Sequence, residues 1–599
     1  MIVIGPSPTA DRQEGEPAEG VPVVREPTPV VPEDSDYSPT ASPRYGKRRR
    51  RNGESDDASV FGRGAGDGAD DLVYCGEVIG GRFGPVPACL SASIHSYDFY
   101  EYMYSEARRL LADGDAEGFA SRPVEPIYHR LMYVLRLLRT MDSEGMTISA
   151  AEMAFGGASS ASDASELKAA LGSEEAARNV CLAVEAETTP QAGCDLWTIL
   201  RKCLMTASTI KWDRRGPKCE PDLRVVDTAT RSGPPSNSIA FGNANESLAR
   251  SALVACVLGP GYAKTPDGLD PSRLDDADAA FTFDAAAALD SEPYSCGLLI
   301  DPRTGMIGAS MDVLACDRGG DGLLRPHPLE KTLEIYEIKC RAKYLFVPGS
   351  NTEPAMCYDR LMRERSPGAF RRFIMSIKRP CVEYFTQARG TPGTCEALAT
   401  CHDDWKTWAG PEPTRPGVRA RRARCGEVDT RHLELNKAGR SSVWLFSDPD
   451  LDTLEIGPLP WSTGELSLDV PIFANPRHQN FKQILVQAYV LAAYYPDRTI
   501  APHLVTFIGR ERRRDELGRR FTLLGPSTVG CVGSGQTVSP EQAIPVALVV
   551  TPVRLDESLF GLIEEAGREA FSIASEEIWA KSRLPSTDPL PSAAATTNS

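Results

Sequence analysis

No stretch of this chain is apolar over anything like the ~20 residues that a bilayer crossing needs, and its first residues show no basic-then-apolar leader. A membrane-spanning or exported protein is therefore not expected. Cys-x2-Cys pairs are missing as well. The sixteen cysteines are scattered, and the nearest approach to a zinc cluster, Cys395, Cys401 and His402, has a spacing that fits no familiar site. Such cysteines read as reduced thiols of a cytosolic or nuclear protein. Net positive charge is also lacking. The formal charge of −16 argues against simple electrostatic attraction to nucleic acid. No internal repeat is seen.

Charge and composition are uneven along the 599 residues. Acid gathers in the N-terminal part and in the Ala- and Asp-rich segment 267–292, which reads as a surface insertion. Base gathers in 360–379, 415–424 and 510–520. A basic groove inside an acidic protein is compatible with that pattern. Residues 1–72 are rich in Pro, Glu, Asp, Gly and Ser and are expected to be a disordered tail. Within them Lys47-Arg48-Arg49-Arg50-Arg51 reads as a nuclear import signal, its alternative being a charge-balancing patch. Residues 73–194 are expected to form a mainly helical lobe, with helices near 96–111 and 126–141. Tyr128, Leu131, Met132, Leu135 and Leu138 form one apolar stripe of the second. One or two more helices are expected in 148–187. Two core segments, 195–350 and 471–582, flank a bridge region, 351–470, that holds Pro411-Glu412-Pro413 and an arginine run; residues 583–599 form a tail.

The most telling text is Gly308-Ala309-Ser310-Met311-Asp312, with Tyr336-Glu337-Ile338-Lys339-Cys340-Arg341 downstream. Residues 296–300 read as a strand, 301–305 as a turn and 306–315 as a second strand. Alternation puts Gly308, Ser310 and Asp312 on one face of that second strand. On the next strand, 332–340, it groups Glu337, Lys339 and Arg341. Two carboxylates, an amine and a guanidinium then share one edge. Phosphodiester cleavage uses such a set: carboxylates hold a divalent ion against the phosphate and a lysine orients or activates the attacking water. The bland alternative is an amphipathic strand with a Glu–Lys ladder facing water.

The text around both motifs, together with 204–212, 238–246 and 475–483, resembles the alkaline nucleases of herpesviruses, the alphaherpesvirus branch in particular, from about Val73 to about Ser582. The resemblance implies an α/β fold with a PD-(D/E)XK, restriction-endonuclease-like core: a mixed central sheet flanked by helices. It implies Asp312 and Glu337 as ligands of Mg²⁺ (Mn²⁺ in its place), Lys339 as a catalytic group and Glu246 as a third acidic group at the metal. Without it, Asn243 and Glu246 read as a helix capping box. Gln487 and Gln483 lie one turn apart on a helix and are either an ordinary solvated face or, for Gln487, a phosphate- or DNA-binding group at the edge of the site. Ser310 and Arg341 are candidate phosphate ligands. Ser208, Thr209 and Lys211, ahead of Trp212, Arg214 and Arg215, are candidates for backbone binding, Trp212 being a stacking platform or a buried anchor.

The activity implied is a 5′→3′ exonuclease with endonuclease activity on single- and double-stranded DNA, acting on branched viral replication intermediates. It would work as a recombinase with the viral major single-strand DNA-binding protein, in the host nucleus with a share in the cytoplasm. Three rivals stand beside it: an RNA-degrading host shutoff nuclease of the same fold, a non-catalytic scaffold for recombination or capsid assembly, and a zinc enzyme.

Overall fold

The computed structural model describes residues 98–584, apart from 116, 120–123, 144–153, 192–193, 213–215, 219–236, 259–295, 320, 327, 329–330, 341, 378–383, 387–426, 477 and 526–535. The N-terminal tail with Lys47–Arg51, the acidic segment 267–292, the 415–424 arginine run, Cys395, Cys401, His402, Arg214, Arg215 and Arg341 lie outside the described residues, as do 585–599.

The chain opens with helices α1 (Phe99–Ala112) and α2 (Pro126–Ser143). Asp98 starts α1 by accepting the backbone N–H groups of Tyr100 and Glu101, both at 2.9 Å. The expected stripe of α2 is buried, but so are Ile127, Tyr133, Val134 and Leu137. The helix is enclosed on nearly all sides instead of lying on a surface. Then come α3 (Ala164–Leu171), α4 (Glu174–Glu187) and the short α5 (Asp195–Arg201).

Short strands β1 (Met205–Thr206), β2 (Lys211–Trp212) and β3 (Pro217–Lys218) lead to α6 (Asn237–Leu253). Next are β4 (Leu299–Ile300), β5 (Ile307–Ala309), β6 (Val313–Ala315) and β7 (Thr332–Cys340). Helices α7 (Glu353–Glu364) and α8 (Pro367–Ser376) follow, then β8 (Tyr384–Thr386), α9 (Glu427–Asn436) and β9 (Ser441–Phe446). Strands β10 (Glu455–Ile456), β11 (Pro458–Leu459), β12 (Ser467–Val470) and β13 (Ile472–Ala474) precede α10 (Gln479–Tyr494). The chain continues through β14 (Thr499–Arg510), β15 (Phe521–Leu523), β16 (Gln536–Val538), β17 (Ile544–Pro552) and α11 (Phe560–Arg583).

Among the described residues the central sheet has seven strands in the order β11-β9-β17-β14-β7-β6, with β12 also paired to β9. Parallel pairing of β7 with β14 sets Glu337 beside Leu504 and Lys339 beside Thr506, and β14 with β17 is antiparallel. This is a mixed sheet with helices on both faces. One apolar core joins α1, α2 and α4 to β4, β5, α10 and α11; a second lies between α6 and the sheet; a third lies under α7 and α8. The 351–470 region is more than a bridge, because β9, β11 and β12 belong to the central sheet.

The expected strand over 306–315 is two strands in two different sheets. β5 pairs with β4 and with β1; β6 pairs with β7 as far as Val313 opposite Tyr336. One step further the ladder stops because side chains take its partners. The Ile338 N–H donates to Asp312 Oδ2 at 2.7 Å, and the Met311 carbonyl accepts from Gln191 Nε2 at 3.1 Å. Ser310 to Asp312 thus form a kink at the mouth of the sheet, not a strand face.

Candidate active site

The kink brings the sequence-predicted acids together by another route than strand alternation. Asp312 is tied to the backbone of β7 at Ile338, between Glu337 and Lys339. Glu337 is buried (2 % exposed), and its Oε1 accepts from the Lys339 ammonium. These two side chains do share one face of β7, as alternation requires. The other oxygen, Oε2, accepts from Gln487 Nε2 at 2.5 Å.

Gln487 is itself 1 % exposed, and its second N–H goes to the Ser310 carbonyl at 2.9 Å. The solvated-face reading of this glutamine is therefore wrong. Both amide hydrogens are spent on the site's own frame, so Gln487 positions Glu337 and the kink and has no donor left for a phosphate. Helix α10 delivers it because Ile484, Leu485, Ala488 and Leu491 bury the neighbouring stripe against sheet and lobe.

Glu246 lies inside α6, nine residues past its first residue Asn237, so the capping-box reading fails: Asn243 is exposed in mid-helix and caps nothing. Glu246 pairs with Arg250 at 3.2 Å and its side chain is 38 % exposed. Its charge still reaches Asp312. Burial and the Glu337 carboxylate push Asp312 well above the usual carboxylate range, and Glu246 adds to that; Lys339 and the Ile338 N–H pull the other way.

The 204–212 segment reaches the same place. β1 pairs with β5 so that Thr206 faces Gly308, two residues before Ser310. Thr209 Oγ1 accepts the Thr206 N–H at 2.9 Å and closes a tight turn, from which Ser208, Thr209 and Lys211 emerge exposed. Trp212 is the anchor and not an open platform: it is partly buried against the core, with Lys482 over its ring at 4.9 Å.

Three contributors were not visible in the sequence. Arg201, at the end of α5, donates to Ser208 Oγ at 3.3 Å and lies over the Trp197 ring at 4.0 Å. Burial lowers its pKa and the Glu337 charge partly restores it, which places a guanidinium within electrostatic reach of the acids. Trp197 Nε1 donates to Ser310 Oγ at 3.0 Å and leaves the serine O–H free to donate. Gln191, at a left-handed φ of 47°, holds the carbonyls of Cys296 (2.9 Å) and Met311 (3.1 Å) on either side of the β4–β5 turn. The one signal that pointed toward Arg201 is its place just ahead of the hydroxyl-rich 204–212 text.

The basic run 510–520 divides. Arg510 is fully buried between Asp448 and Glu516, each at 2.7 Å, and Arg512 is spent on backbone carbonyls, so neither is a surface charge.

Glu337 and Lys339 on β7, Asp312 in the adjoining kink, a buried glutamine tied to Glu337 and a guanidinium within reach of the acids make an arrangement for phosphoester chemistry. Comparison with known proteins agrees. The model of the viral alkaline exonuclease family matches residues 101–588. The chain belongs to that family. Its members are nucleases, hydrolases of nucleic acid. The alkaline nuclease of Equine herpesvirus 1 (strain V592) is 42 % identical over 470 residues, covering 77 % of this chain and 81 % of the relative. Two solved structures share the fold at 18–19 % identity. They are a SOX–DNA complex (TM-score 0.53, 82 % of this chain and 93 % of the other) and a KSHV SOX–RNA complex (TM-score 0.54, 82 % and 96 %).

Proposed function

We propose that this nuclease hydrolyses DNA with Mg²⁺, or Mn²⁺ in its place, as a 5′→3′ exonuclease with endonuclease activity. Its substrates are single- and double-stranded DNA and branched viral replication intermediates. The observation that carries this reading is the convergence on Glu337 of Lys339, Gln487 and, through Ile338, Asp312.

The donor set suits a hard divalent ion. Burial and the neighbouring Glu337 carboxylate raise the cost of ionising Asp312, and a cation held there would relieve it. Among the described residues no group of three or more His, Cys, Asp or Glu side chains is set to hold a metal. The ion would therefore rest on these two carboxylates and keep several waters, as Mg²⁺ does. When bound it would supply charge neutralisation at the phosphate and a more acidic water. Glu246 would be the third acid, reaching the site through such a water once released from Arg250.

The chain's own groups do the remainder. Arg201, Ser208 and the Ser310 hydroxyl hold non-bridging phosphate oxygens, with Thr209 and Lys211 on the strand beyond. Lys339 orients the attacking water, and Gln487 fixes the Glu337 carboxylate so that it does not follow the departing group. Arg341, which follows Cys340 in the sequence, is proposed as a further phosphate ligand.

Beyond catalysis, the family resemblance supports a partnership with the viral single-strand DNA-binding protein in recombination, and the Lys47–Arg51 run supports action in the host nucleus. The fold shared with a KSHV SOX–RNA complex favours a second reading, RNA cleavage. Digestion of duplexes labelled at the 5′ or 3′ end, with and without Mg²⁺, beside messenger RNA and with an Asp312→Asn control, tests both. Label release from the 5′ end that needs Mg²⁺ and Asp312 supports the DNA reading; cleavage of RNA alone overturns it.

A further inference from the structure

The loop after β14 is braced to an unusual degree for a surface connection. Arg510 is held by Asp448 and Glu516. Arg512 Nε donates to the Gln542 carbonyl at 3.0 Å. Its Nη1 bonds the carbonyls of Glu516 (3.1 Å) and Arg519 (2.8 Å), and its Nη2 bonds Ser539 (2.7 Å). The Arg513 N–H donates to Glu516 at 2.8 Å, and its guanidinium donates to Asp448 at 2.9 Å. Gly518, at φ +71°, turns the chain where a side chain would be strained. Three arginines thus build the loop from inside. The other three, Arg514, Arg519 and Arg520, are exposed and enter no ion pair among the described residues; the Arg519 guanidinium donates to the Leu451 carbonyl at 3.2 Å. Asp515 is the one exposed acid among 511–520.

The loop also stands at the active-site end of the sheet. Thr506 pairs with Lys339, and Arg510 lies four residues further along β14, ~13 Å at strand rise. Gln542, which Arg512 holds through its carbonyl, donates to the Ala244 carbonyl of α6 at 2.8 Å, close to Glu246. A rigid display of guanidinium groups outside any ion pair is a preorganised phosphate binder, since little side-chain and loop entropy is given up on binding.

We propose that Arg514, Arg519 and Arg520 form a second anchor for the phosphate backbone of duplex DNA, several base pairs from the scissile bond. The proposal rests on the DNA-cleaving reading above. It also explains how a chain of charge −16 holds a polyanion: the attraction is local and mounted on a stiff loop.

The test uses the full chain in Ca²⁺ buffer, where the duplex stays uncut, and measures Kd for a 30-base-pair duplex across salt concentrations. The triple variant Arg514→Gln, Arg519→Gln, Arg520→Gln is expected to reduce the slope of log Kd against log salt by about 2 to 3, ~0.9 for each phosphate that is no longer neutralised. The corresponding triple lysine variant keeps the slope, because the charge remains. Thermal unfolding of both should match wild type; Arg512→Gln, which cuts the brace, should lower the melting temperature. An unchanged slope in the glutamine variant overturns the anchor. If wild type meanwhile cleaves DNA in an Asp312-dependent way, the nuclease reading stands without it. Loss of poly-glutamate binding with duplex binding intact would assign the loop to an acidic protein and equally overturn the proposal.

Discussion

Glu337 is fixed from both sides, by an ammonium on one oxygen and an amide on the other, and that sets what single substitutions should do. Asp312→Asn and Glu337→Gln each remove a charged oxygen ligand and should lower kcat by ~10²–10⁴-fold, ~3–5 kcal/mol in the barrier, with Mg²⁺ affinity weakened in isothermal titration. Lys339→Ala should lose a comparable rate while Mg²⁺ still binds. Gln487→Ala removes a hydrogen bond to a carboxylate, worth ~1.5–3 kcal/mol, and should cost ~10–100-fold in kcat with KM for DNA little changed. A rise in KM with kcat intact would mean that Gln487 touches the substrate after all. At this scale the sequence showed the groups that alternate on one strand, Glu337 and Lys339, and the motif that carries Asp312. Arg201, Trp197 and Gln191 were invisible, because each reaches the site through tertiary folding and none stands in a pattern with the acids.

Elements depart from their sequence reading where side chains replace backbone partners. Alternation over 306–315 is genuine, yet Asp312 and Gln191 consume the next ladder bonds and split the strand. Helix α6 likewise begins upstream of its apparent cap, since Ala240 and Phe241 are buried in the core against the sheet. Helix α9 gives a pH prediction. His432 is fully buried, its Nε2 accepts the Asp556 N–H at 3.2 Å, and its ring packs on Phe481. Burial, then the Lys482 ammonium, lower its pKa to about 4, against the opposing charges of Asp556 and Asp429. The folded state therefore prefers the neutral ring, whereas the unfolded chain takes up a proton near the ordinary histidine value of 6.5. The stabilisation is full above about pH 6.5 and is lost progressively as pH falls toward 4, by ~3 kcal/mol in all. In urea unfolding, the advantage of wild type over His432→Gln should shrink by ~2 kcal/mol between pH 7 and pH 5. A constant gap would show that the ring is protonated, or equally accessible, in both states.

At the scale of the whole molecule, composition separated an N-terminal region from the rest, and the described fold begins at Asp98. The boundary of the bridge was harder to read. Strands β9, β11 and β12 are short; β11 and β12 pair with β9, and β9 enters the sheet by pairing with β17 far downstream, which no local pattern encodes. Every residue assigned to the active site lies between Gln191 and Gln487, none of them within the first 60. Deleting them should leave cleavage of labelled duplexes within about twofold of full length, since ΔΔG‡ below ~0.4 kcal/mol is expected when no transition-state contact is removed. That deletion also removes Lys47–Arg51, five consecutive basic residues in an otherwise acidic region. The same protein should therefore lose nuclear accumulation in cells that express no other viral protein. Two explanations of such a loss remain distinct: removal of the basic run, or removal of the acidic flanks on which a partner docks. Changing only Lys47 to Arg51 to alanine separates them, because the flanks stay. The expected outcome is a cytoplasmic protein with unaltered cleavage in vitro; nuclear accumulation that survives the five alanines would refute the import role and leave the flanking sequence as the determinant.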